Sequence, residues 1–159
     1  MIASSSDPYL EFLLDIKSEK HFRDENGRNF FDELAAMQER DDVYLAIRKK
    51  VNQRNAKDED IRYFLFMGYV AYTRNAAASM EAMTTDLMPV YRSNTKNVLL
   101  AMKASPFLIE ASCYYLGNYF GFEGKNKKGK SEFMQEITTH LKAHLSPEKV
   151  GLCLSSIGT

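Results

Sequence analysis

Apolar residues recur at helical spacing along most of this 159-residue chain. The most apolar stretch runs from Ser105 to Gly121 and holds one charged residue, Glu110. Ser105 suits a helix cap, Pro106 a first turn and Gly121 a stop. A helix that is apolar nearly all round has no solvent face to present, so this one is expected to run through the middle of a domain. A second such segment covers 61–83. Ile61, Phe64, Leu65, Gly68, Tyr72, Asn75, Ser79 and Ala82 form its stripe, while Phe66 and Tyr69 lie off it and imply wrapping on more than one side. Asp58, Glu59 and Asp60 supply an acidic first turn, Gly68 and the alanines at 76, 77 and 78 would admit a close neighbour, and Pro89 is expected to close the segment.

The flanking pattern is amphipathic. Asp7-Pro8 opens a helix carrying Tyr9, Leu10, Phe12, Leu13 and Ile16, and Gly27 marks a turn. Asn29 caps a short helix with Phe30, Phe31, Leu34 and Met37 inward. The pattern restarts at Asp41-Asp42 with Val43, Tyr44, Ile47 and Val51, and Arg48, Lys49 and Lys50 near its end suit the helix dipole. Asn94 or Thr95 starts a helix through Val98, Leu99 and Met102. Ser131 is expected to cap another, with Met134, Ile137, Leu141 and Leu145 inward, and Ser146-Pro147 begins a last one ending near Ile157. The expectation is all-α: one irregular helical domain over 1–159, of about eight helices, around a buried apolar pair at 61–83 and 105–121.

Composition agrees, with only eight glycines and four prolines and an abundance of helix formers. A net charge of zero excludes a polycation built for nucleic acid. The charges crowd into the first third, and only seven lie between 63 and 122. Cys113 and Cys153 give neither a disulfide framework nor zinc spacing, so a reducing compartment is the simpler reading and Cys113 reads as an inert core thiol. No secretory signal is visible at the N-terminus, and the longest apolar run is too short to span a bilayer. These features predict a soluble, cytoplasmic protein with no membrane span.

Three constellations carry candidate chemistry. Gly124 to Ser131 matches the letters of the nucleotide-binding P-loop, G-x-x-x-x-G-K-[ST]. That motif needs a preceding strand and an acid from a neighbouring one, whereas the segment upstream reads as helix and only 28 residues follow Ser131. A milder reading keeps Lys125, Lys127, Lys128, Lys130 and Ser131 as an anion- or partner-binding loop, against the ordinary alternative of a solvated lysine-rich turn. His140 and His144 share a helical face with Glu136, the spacing of a metal-binding pair, although two exposed histidines are the plainer account. Leu141 occupies the position where a zincin places its glutamate, which excludes that protease class. His21 and Cys153 are conceivable further ligands that no spacing selects.

Glu110, Tyr114 and Asn118 align at four-residue intervals and, with Arg74, form an expected buried polar strip. That strip is either a structural Arg74–Glu110 pair or the wall of a pocket. No catalytic constellation outweighs its structural alternative, and no cofactor is indicated. The function expected is therefore non-enzymatic: a helical protein-interaction module (adaptor, regulator, chaperone-like factor or effector) acting through a helix face on another protein. A homo-oligomer is a further possibility. Nucleic-acid or phosphate binding through the loop at 124–130 is the alternative, and an enzyme or metal-binding protein the third.

Overall fold

The computed structural model describes residues 41–121 and 126–158. The helices expected from Asp7 and Asn29, the turn at Gly27, and the positions of His21, Gly124 and Lys125 lie outside them. Among the described residues every regular element is helical. In chain order these are α1 (Asp41–Val51), α2 (Asp58–Thr73), α3 (Ala77–Ser93), α4 (Thr95–Ala104), a 3-10 turn (Pro106–Leu108), α5 (Ile109–Asn118), α6 (Lys127–His144) and α7 (Pro147–Gly158). None is long and apolar enough to cross a membrane. All seven α-helices contribute to one hydrophobic cluster.

The all-α expectation holds, and α2 is the central rod: from Tyr63 to Ala71 every residue is buried. The expected segment 61–83 is not one helix, however. After Thr73 the chain turns through Arg74, and Asn75 takes a left-handed conformation (φ 54°) before α3 begins. Asparagine tolerates that region better than most side chains. The amides of Arg74 and Ala76 bond back to the carbonyls of Val70 and Ala71, which closes the end of α2. The three alanines continue the helical spacing across this break, so periodicity alone does not reveal it. Pro89 does not end its helix either. It lies inside α3 on an exposed position, where the carbonyl left without its amide partner can be solvated.

The join between α1 and α2 depends on a residue from elsewhere. Asn94, only 6 % exposed, donates through Nδ2 to the carbonyls of Val51 (3.1 Å) and Gln53 (3.0 Å) and accepts through Oδ1 from the Ala56 amide (3.1 Å). Asn97 adds a bond to the Ala56 carbonyl at 3.3 Å. Asn94 precedes α4, yet its side chain makes no cap there, because it satisfies a neighbouring loop instead. Ser105 likewise does not cap with its side chain; its buried hydroxyl accepts from Arg62 at 3.1 Å. At the outer end of α1, Asp86 of α3 receives the Tyr44 hydroxyl at 2.8 Å and the Arg48 guanidinium at 3.3 Å.

The most extensive helix pairing is α5 on α7. A Cβ built on Gly117 would lie 2.5 Å from the carbonyl oxygen of Ile157 and 2.9 Å from its Cα, so the two backbones touch. Beside that contact Cys113 and Cys153, both fully buried, are joined by a disulfide. Cys113 is thus no inert thiol, and the pair does form a cross-link despite the uninformative spacing. A bond closing a loop of 40 residues is worth roughly 2–4 kcal/mol.

Two stability predictions follow from this packing. Gly117→Ala forces backbone against backbone and should cost about 2 kcal/mol despite the better helix propensity of alanine. Gly68→Ala meets only the mobile Cε of Met83 at 2.7 Å and a Tyr115 ring edge at 3.1 Å, and should cost distinctly less. Urea unfolding of the two variants gives the order. Asn94→Ala strands a buried amide and two carbonyls and should lower stability by about 2–3 kcal/mol in the same assay.

Candidate functional site

The face of α5 that does not enter the core carries Glu110, Tyr114 and Asn118. Their four-residue spacing places them above one another. Glu110 is exposed, Tyr114 and Asn118 are half-buried, and Arg74 is exposed at the end of α2. The strip expected to be buried is therefore the outward edge of the helix, and α5 is not apolar all round. The spacing was informative, but the side it faces was not. With Arg74 and Glu110 both exposed, the buried charge pair expected between them is not what this edge presents. The Glu110 carboxylate accepts from the Tyr72 hydroxyl at 2.8 Å, across the α2–α5 contact.

Two clefts flank this edge. The first, about 270 Å3, is lined among the described residues by Tyr69, Tyr72, Thr73, Pro106, Phe107, Glu110, Ala111 and Leu152. The second, about 480 Å3, lies between α5 and the start of α3 and is lined by Asn75, Ala77, Met80, Glu81, Thr84, Tyr114 and Asn118. Tyr72 and Tyr114 pack between them with ring centres 5.3 Å apart and planes inclined at 59°. The aromatic wall continues inward through Phe107, edge-on to Tyr69 at 4.8 Å and to Phe66 at 6.3 Å. Both charges among these lining residues, Glu81 and Glu110, are negative.

The tyrosines define what such a surface can do. Burial, then the hydrogen bond and charge of Glu110, push the Tyr72 hydroxyl up to about 12. It keeps its proton at neutral pH and donates to the carboxylate rather than acting as a base. Burial also raises Tyr115, whose hydroxyl donates to the Gly68 carbonyl at 2.7 Å. A carboxylate already oriented by a neutral phenol, set in an aromatic wall, can recognise a ligand. The hydroxyl of Thr73, which lines the same cleft, donates to the Val70 carbonyl at 3.0 Å.

The other candidates are placed apart from this edge. α6 starts at Lys127, so Ser131 is not its cap. Asn126 caps instead, its Oδ1 accepting from the Gly129 amide at 3.0 Å. Gly129, Lys130 and Ser131 are thus helical, and one amide that a phosphate cradle would need is already taken. The element preceding this turn among the described residues is α5, a helix. No strand of the kind a P-loop requires precedes it among the described residues.

Further along α6, His140 is half-buried, and its Nδ1 lies 3.0 Å from the Tyr91 hydroxyl. Glu136 pairs with Arg92 at 3.5 Å, and that guanidinium also sits over the Phe133 ring at 5.7 Å. His144 is half-buried, and Cys153, the other ligand considered, is in the disulfide. No cluster of three or more potential ligands that could hold a metal occurs among the described residues.

No family model, curated protein or solved structure matches the chain. Its function is therefore read from this geometry. Three residues of the first cleft are ones that spacing does not single out: Tyr72 lies on the stripe of 61–83, Phe107 within the apolar run, and Leu152 in the last helix. For Leu152 a signal existed: it falls off the stripe of Val150, Cys153 and Ile157, and it is 39 % exposed.

The buried phenols set a limit at high pH. Tyr44 and Tyr91 are also raised, each chiefly by burial, with Asp86 and Glu136 respectively adding to the shift. An unfolded tyrosine ionises near its ordinary value of 10.0. The unfolded state therefore loses protons first, and these groups' contribution is complete below pH 10 and lost as pH rises through the folded values. Helicity should fall together with the appearance of tyrosinate absorbance above that point. Ionisation of all nine tyrosines near pH 10 with the helical signal unchanged would contradict the packing described.

Proposed function

We propose that the chain is a protein-interaction module that receives a segment of another protein along the outer edge of α5. The observation that carries this reading is the first cleft. Leu152, an exposed leucine, stands beside the half-buried rings of Tyr72 and Phe107, and the Glu110 carboxylate lies among them. An aromatic pocket of this kind suits an apolar anchor side chain, the feature that dominates binding energy at interfaces. The negative charge at Glu110 favours a cationic residue beside that anchor and disfavours an acidic one. The walls come from helices held by a disulfide and by the Tyr72–Glu110 hydrogen bond, so little ordering is required when a segment binds.

A second reading, phosphate or nucleic-acid binding, draws on the first turn of α6, which carries Lys127, Lys128 and Lys130 and no acidic residue. It differs in its salt dependence, which would be steep. It also predicts binding indifferent to the α5 edge.

Selection of a random peptide library on the full chain separates the two. Peptides pairing Leu or Phe with a nearby Lys or Arg should be enriched. Glu110→Lys and Leu152→Asp should each weaken the selected peptides by about tenfold or more, corresponding to at least ~1.4 kcal/mol. Binding that survives both substitutions, or no selectable peptide, removes the α5 edge from the function.

A further inference from the structure

The two cysteines of the chain lie on facing helices, α5 and α7, with Cα atoms 5.3 Å apart and both side chains without solvent exposure. Their position follows from neighbouring packing: one turn beyond Cys113, Gly117 lets the backbone of Ile157, one turn beyond Cys153, come into direct contact. The fold itself therefore brings the sulfurs together. They lie 40 residues apart in sequence, so they are not the adjacent pair of a dithiol oxidoreductase, and no metal-binding cluster of three or more ligands includes them among the described residues. Closed, the bond is shielded, because exchange requires an external thiolate to reach a sulfur. Shielded cross-links of this kind belong to proteins that fold or work in oxidising surroundings and are rare where thiols are kept reduced.

We propose that this chain matures in an oxidising compartment and carries Cys113–Cys153 as a permanent structural link, in place of the reducing compartment that a bare pair of cysteines indicates. The link forms by exchange with a disulfide-bearing oxidant. One cysteine thiolate attacks the oxidant's disulfide and releases one of its sulfurs as a thiol. The second cysteine thiolate then displaces the other. The two cysteines lose two electrons and two protons between them, and the oxidant's disulfide takes them up as two thiols. This inference is independent of the binding role of the α5 edge.

The test uses the full chain taken from its native host, with thiols trapped by N-ethylmaleimide under denaturing conditions at the moment of lysis. Intact mass should show no adduct before reduction and two adducts after it. Two adducts on unreduced protein would overturn the proposal. A second arm compares thermal unfolding of oxidised and dithiothreitol-reduced chain. A lower midpoint, or loss of the folded state on reduction, is the expected result. Identical transitions in the two forms would overturn the structural role even if the bond is present.

Discussion

The contact between Gly117 and the backbone of Ile157 sets the geometry on which the candidate site depends. Because no side chain intervenes, the backbones of α5 and α7 come into direct contact there. That approach buries Cys113 and Cys153 within bonding reach and sets α7 beside the outward edge of α5, since Glu110 stands seven positions, about two turns, before Gly117. It also brings Leu152, the neighbour of Cys153, to the wall of the first cleft. A larger residue at 117 would thus act on three things together: the helix pairing, the alignment of the sulfurs and the cleft.

How much of this the sequence carried can be argued from particular residues. Helical class, the centrality of α2 and the burial of Ile137, Leu141 and Leu145 were legible, because they rest on spacing, and spacing is a local property; Phe133, buried beside the half-buried Met134, was not among the inward residues expected. What was illegible depended on a single backbone torsion or on a distant partner. Asn75 breaks the rod at 61–83 by adopting positive φ, which three following alanines disguise. Asn94 looks like a cap and instead serves the loop after α1, more than 35 residues away. The cysteine pair is uninformative by count and spacing, and only the packing of α5 on α7 shows that the sulfurs meet.

The candidate site divides in the same way. The alignment of Glu110, Tyr114 and Asn118 could be read directly, since four-residue spacing puts them on one face whatever surrounds them. Whether that face is buried could not be read, because it depends on which neighbours α5 has and where they stop. The lysines of the P-loop-like stretch show the opposite failure. Their letters match a motif whose meaning depends on a preceding strand, and α5 is a helix. Motif letters are weak where the local backbone contradicts them.

The tie between Tyr72 and Glu110 bears on what the surface would select in the proposed binding role. The phenol orients the carboxylate without neutralising it, since its own proton is retained to about pH 12. A purely apolar segment lying over the cleft would cover a charge and return nothing for its lost hydration. An acidic segment would add repulsion from both Glu81 and Glu110. A segment that places a cation over Glu110 and an apolar group against Leu152 and Phe107 meets both demands at once. In the proposed binding role, discrimination at this edge would come as much from the partners that the fixed carboxylate rejects as from the one that it accepts.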